Sequence, residues 1–186
     1  MVVTRTCRLV AADGAQRVIP EHACRVSDLL ACMLDADEDE SDEENTVEVP
    51  LPGIASAAVL DGIGGYLMRV AVAGEEPALC RDSAEGALPD YRLDEMVGAG
   101  WGDTFFRECT TGDCASVCAL LQAAEYMQME GLRWLCAAKL ACTIRGVNTE
   151  VALCGLFDVP LERMDRYAAE VEGVCASMPW LTEDVA

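Results

Sequence analysis

Residues 119–146, ALLQAAEYMQMEGLRWLCAAKLACTIRG, carry the pattern on which the fold turns. Val117, Leu120, Leu121 and Ala124 recur at helical spacing, and Leu132, Leu135, Cys136 and Leu140 resume it after a short break. The spacing predicts two helices joined by a tight corner. Gly131 sits near the junction, where a residue free to take positive φ is useful. Within the pair only Glu125, Glu130, Arg133, Lys139 and Arg145 are charged. Helices this apolar are expected to be buried in their own domain, docked against a partner, or both.

Toward the N-terminus, residues 3–20 read as a β-hairpin. Val3–Val10 and Gln16–Ile19 flank Asp13-Gly14, a pair suited to a tight turn, and Pro20 closes the second strand. Val26, Leu29, Leu30, Met33 and Leu34 predict one amphipathic helix over Ala23–Leu34. Eight of the ten residues 35–44 are acidic, the composition of a solvated loop. Val47, Val49 and Leu51 then alternate as a brief strand stopped by Pro50 and Pro52. Ala55–Val72 fits a helix, although Gly62, Gly64 and Gly65 each cost it about 1 kcal/mol of propensity.

Residues 75–100 are rich in Gly, Pro, Asp and Glu without a sustained period, and are expected to form a long, partly disordered connection. Trp101, Phe105 and Phe106 restart the apolar pattern, and Asp113 is placed to cap the first central helix. Beyond Gly146, Asn148 or Thr149 caps a short helix to Phe157. Pro160 opens a last one through Leu161, Met164, Ala168, Val171, Cys175 and Met178. Mixed elements followed by a run of helices predict an α+β domain with an all-helical continuation.

The chain of 186 residues carries 33 acidic against 13 basic side chains, a net charge of −20. That charge repels nucleic-acid phosphate and anionic membrane surfaces, and no run reaches the roughly 18 apolar residues of a membrane span. Arg5 and Arg8 interrupt any signal-peptide core, so none is expected. The eleven cysteines are odd in number and contain no CxxC, which favours free thiols in a reducing cytoplasmic or nuclear setting over disulfides or zinc. A single histidine, His22, stands at a strand–helix junction with no G-x-S-x-G elbow in the chain. The glycine clusters lack the Lys-Ser/Thr pair of a phosphate loop, and the acidic run lacks EF-hand spacing. No catalysis, metal or cofactor is expected.

The central run Ala123-Ala124-Glu125-Tyr126-Met127-Gln128-Met129-Glu130-Gly131-Leu132-Arg133 resembles AANYL-x-I-x-GLL of the S-phase kinase-associated protein family, the small adaptors of SCF-type ubiquitin ligases. Five further segments agree in order. The turn Asp13-Gly14 matches the family's first turn, and Val49-Pro50-Leu51-Pro52 follows an acidic loop as its VPLP does. Trp101–Phe105 is similar to W-D-x-E-F, Ile144-Arg145-Gly146 to I-K-G, and Leu156-Phe157-Asp158-Val159 to T-F-N-I. Trp180 falls where the family has its tail tryptophan. The departures are Glu125 for the family's Asn, a tail reading Trp180-Leu181-Thr182-Glu183, and about four extra residues after Phe105.

The resemblance implies a BTB/POZ-like domain over residues 1–144, with an acidic loop at 35–45 and an insert at 75–100, then a helical F-box-binding extension over 145–186. It implies a non-catalytic adaptor bridging a cullin to F-box proteins, cytoplasmic and nuclear, with weak homodimer formation when free of partner. Cullin contact would fall on Tyr126, Glu125, Leu34 and Asp37. F-box contact would fall on Val117, Leu121, Leu140, Ile144, Phe157, Val159 and Trp180. The departures favour an alternative, a diverged BTB-fold subunit of an elongin-C-like or structural, kinetochore-type assembly.

Overall fold

A computed structural model describes residues 5–36, 46–74, 76–77, 93, 97 and 101–160. Contacts divide the chain into two compact units, Met1–Thr143 and Ile144–Ala186. The first holds β1 (Thr6–Ala11), β2 (Gln16–Pro20), α1 (Glu21–Cys24), α2 (Asp28–Ala36), β3 (Thr46–Leu51), α3 (Ala57–Ala73), α4 (Asp103–Cys109), α5 (Cys114–Tyr126) and most of α6 (Glu130–Arg145). The second holds the end of α6 and α7 (Glu150–Leu156). The architecture is α+β: a three-stranded sheet and seven helices among the described residues.

The sheet order is β2-β1-β3, with β1 antiparallel to β2 and parallel to β3. Period-two alternation sends Cys7, Leu9, Ala11, Ile19, Val47, Val49 and Leu51 into the core. Arg8 and Glu48 meet at 3.6 Å on the other face. Pro50 stays within β3 because that strand is an edge of the sheet, where a missing N–H costs no ladder bond. In the hairpin, Gly14 takes φ 83°. Asp13 accepts from the amides of Ala15 (3.0 Å) and Ala57 (2.9 Å), fastening the turn to the start of α3. Those two bonds hold its carboxyl below the usual carboxylate range.

The helix expected over Ala23–Leu34 needs correction. The single helix over Ala23–Leu34 is two, α1 and α2, separated at Arg25–Ser27. Ser27 is why: its hydroxyl accepts from the Leu30 amide at 3.2 Å, a capping bond that starts a new helix. Arg25 spans the break by pairing with Glu21 (3.0 Å) and Asp35 (2.9 Å). The helix expected over Ala55–Val72 is α3, and its glycines are contact points. A Cβ on Gly62 would stand 2.9 Å from Leu120 Cδ1, one on Gly65 would stand 2.6 Å from Cys109 Sγ, and one on Gly64 would strike the Arg17 side chain. Helix propensity is given up so that α4, α5 and β2 can approach α3 closely. Two residues of the connection 75–100 are placed with the core. Leu93 and Val97 are buried in the core. The acidic residues 37–45, the rest of that connection and the helix expected from Leu161 lie outside the described residues.

Tyr66, Trp101, Phe105 and Phe106 form a connected aromatic cluster with centroid separations of 5.1 to 6.1 Å. The Tyr66 hydroxyl donates to Glu76 at 3.1 Å. Burial, reinforced by that neighbouring carboxylate, pushes its pKa up. The hydroxyl and the Glu76 carboxylate lie where a Cβ on Gly131 would be. Gly131 therefore lies within the first turn of α6 to clear space for them, and does not supply the positive φ expected of it.

Candidate interaction site at the α5–α6 corner

Asp113 opens α5 by accepting from the Ser116 amide at 2.6 Å. The Thr111 hydroxyl, with that bond beside it, holds its carboxyl below the usual range. The helix ends on a Schellman motif: Met129 N–H bonds to the Ala124 carbonyl (2.9 Å) and Gln128 N–H to that of Glu125 (3.1 Å). Gln128 holds the left-handed position, φ 53°, where glycine is usual. The carbonyl of the cap residue, Met127, would be left unpaired, and the Ser27 hydroxyl donates to it at 2.6 Å. Ser27 thus begins α2 and finishes α5 with one oxygen, and it is the single buried polar residue among those described. Met127 and Met129 are fully enclosed.

Between those two anchors and the surface stands Tyr126, 37% exposed. Its ring lies on Gly53, in the loop between β3 and α3: a Cβ there would come within 2.6 Å of Cδ2 and Cε2. Beside the corner is a cavity of about 180 Å³ lined by Asp28, Glu125, Gln128, Glu130 and Arg133 with Ala124 and Met129. Glu125 pairs with Arg133 at 3.1 Å, and Glu130 accepts from the indole of Trp134 at 3.2 Å. Arg133 also lies over the Trp134 ring, 5.9 Å from its centroid. Tyr126 and Trp134 (45%) are the exposed aromatic residues among those described.

The residues expected at a cullin face divide. Tyr126 and Glu125 reach the surface at this corner, while Leu34 is buried in the core and offers no surface. Asp37 lies outside the described residues. Of the expected F-box set, Val117 is a core residue, and Leu121 and Leu140 are half-buried against the same core. Ile144 (38% exposed) and the half-buried Phe157 and Val159 belong to the second unit, and Trp180 lies outside the described residues. In that unit Thr149 caps α7 by accepting from the Ala152 amide at 3.2 Å. The helix ends with Asp158 at φ 51° and Val159 N–H bonded to the Cys154 carbonyl at 2.9 Å.

Ser27, Gly53 and Trp134 were not singled out by the sequence reasoning. Ser27 had a legible signal, a serine three residues before an apolar helical position. Gly53 had none, because its partner is distant in the chain.

Burial raises the thiol pKa of Cys109 and Cys114, and that of Cys136 to about 12, while a hydrogen bond from Cys24 lowers that of Cys7. Among the described residues no three His, Cys, Asp or Glu side chains gather as a metal site, and no helix is long and apolar enough to cross a membrane. Compared with known proteins, the chain matches no protein-family model and no curated relative.

Proposed function

We propose that the chain is a non-catalytic adaptor of the BTB/POZ-like kind, joining a cullin scaffold at the α5–α6 corner to F-box substrate receptors at its C-terminal helices. The observation that carries this reading is the surface position of Tyr126. A partly exposed aromatic residue packed on Gly53 sits within the very run that resembles the family, beside the enclosed Met127 and Met129. Exposed aromatic surface of this kind favours protein contact. The second contact is supported by Ile144, Phe157 and Val159, which keep apolar surface open on the second unit. A helix laid against them would be anchored at helical spacing.

The pair Glu125–Arg133 favours the second reading, a diverged subunit of a non-cullin assembly. It puts a paired carboxylate where the family has a neutral amide. Calorimetric titration of the full chain against a cullin N-terminal fragment and an F-box helix peptide separates the two readings. Binding of both, with Tyr126→Ala weakening only the first and Trp180→Ala only the second, supports the adaptor. Binding of neither overturns it.

A further inference from the structure

Gly53 makes room for an aromatic side chain that is itself partly at the surface. Gly62, Gly64, Gly65 and Gly131 admit neighbours into tight packing. Gly14, Gly74 and Gly112 serve turns and helix ends at positive φ, with open space where a Cβ would be. Gly53 does neither. Its φ is not in the left-handed region, so its backbone is open to any residue, yet a Cβ would stand 2.6 Å from two ring carbons of Tyr126 and 2.7 Å from Cζ. Those separations are well inside van der Waals contact, so any side chain at 53 must push the ring away. The ring has somewhere to go. It is 37% exposed and hinges on its own χ1, whereas the backbone beneath it is held: Ile54 is fully buried and its amide bonds to the Leu51 carbonyl at 3.0 Å.

We infer that Gly53 is a positioning residue for partner recognition: its bare Cα is the seat that fixes the Tyr126 ring in one outward orientation, making Tyr126 and the exposed loop Pro52–Gly53 a single preformed docking platform. The inference rests on the adaptor reading for the identity of the partner, a cullin-type helix. The platform joins the end of α5 to the loop after β3, two segments far apart in the chain. Seating the ring beforehand removes the ordering cost that a freely rotating aromatic would incur on binding. The β3–α3 loop thereby becomes part of the recognition surface without contributing a large side chain.

The test is a double-mutant cycle in the full chain, titrated with the cullin N-terminal fragment. Gly53→Ala is expected to raise Kd about tenfold while Tm stays within about 2 °C, because the exposed ring moves and no core is opened. Combined with Tyr126→Ala, it is expected to add nothing to the loss from Tyr126→Ala alone. A purely structural role would instead lower Tm and add to the Tyr126 loss. Ring-current displacement of the Gly53 α-proton resonances, abolished in Tyr126→Ala, reads the seat without any partner. If the wild-type chain binds the fragment and Gly53→Ala binds it equally well, or if the α-proton shifts are absent, the positioning role is overturned. If the wild-type chain does not bind, it is the adaptor reading that falls, and the partner role of Gly53 with it.

Discussion

Two helices of this chain, α5 and α7, end in the same way and are completed differently. Each runs into a non-glycine residue in the left-handed region, Gln128 at φ 53° and Asp158 at φ 51°, and each returns the next amide to a carbonyl five residues back. At α5 the apolar residues on either side of the turn, Met127 and Met129, are enclosed, and Ser27 donates to the Met127 carbonyl. At α7 the corresponding Phe157 and Val159 are only half-buried. The same local code therefore closes a core in one place and leaves apolar surface open in the other. A helix cap fixes where the chain turns, not what covers the turn.

The largest effect expected from this contrast is at the enclosed end. Met127→Ala should destabilise the protein by about 3 kcal/mol in denaturant unfolding, because it removes a fully buried side chain from a packed site. Phe157→Ala should behave oppositely: a smaller loss of stability, and about 2 kcal/mol lost from F-box peptide affinity. Equal stability losses at the two positions would erase the distinction between a finished and an open helix end. Ser27→Ala should cost about 2 kcal/mol, since it orphans both the Leu30 amide and the Met127 carbonyl. Hydrogen exchange should then rise at the start of α2 and at the corner together. Separate responses would show that the shared hydroxyl does not couple them.

Smaller effects probe the turns themselves. Gln128→Gly and Asp158→Gly should each stabilise by about 1 kcal/mol, relieving a left-handed side-chain-bearing residue. A loss at either site would mean that its side chain makes contacts outweighing the backbone strain. The smallest expected effect concerns the opposite end of α5. The Asp113 pKa is depressed in the folded chain, so its capping contribution is present above the unfolded carboxylate value, near 3.8, and is lost as pH falls through the lower folded value. Asp113→Asn should flatten that part of the acid-unfolding curve, and an unchanged curve would remove the cap from the account.

Much of the fold was legible because it is written in short-range periods. The hairpin around Asp13-Gly14, the strand ending at Leu51, α3, α5, α6 and the caps at Asp113 and Thr149 follow from alternation, helical spacing and side chains that bond amides three residues away. The break between α1 and α2 was missed because apolar spacing continues smoothly through it, while the serine hydroxyl that interrupts it draws its second bond from a carbonyl a hundred residues later. At the site, Tyr126 and Glu125 could be named from the chain, but Leu34 and Val117 proved to be core residues. An apolar residue on a helix face looks the same in sequence whether its own chain or another covers it.

The sequence by itself determined the periods, the caps, the charge and the run around Tyr126, because each depends on residues within a few positions of one another. Only the tertiary structure decided what the glycines are for. Whether Gly62, Gly53 or Gly131 is a flaw, a seat or a clearance depends on which distant side chain arrives at the missing Cβ, namely Leu120, Tyr126 or Tyr66. That encounter is set by packing across the whole unit, and no local pattern encodes it.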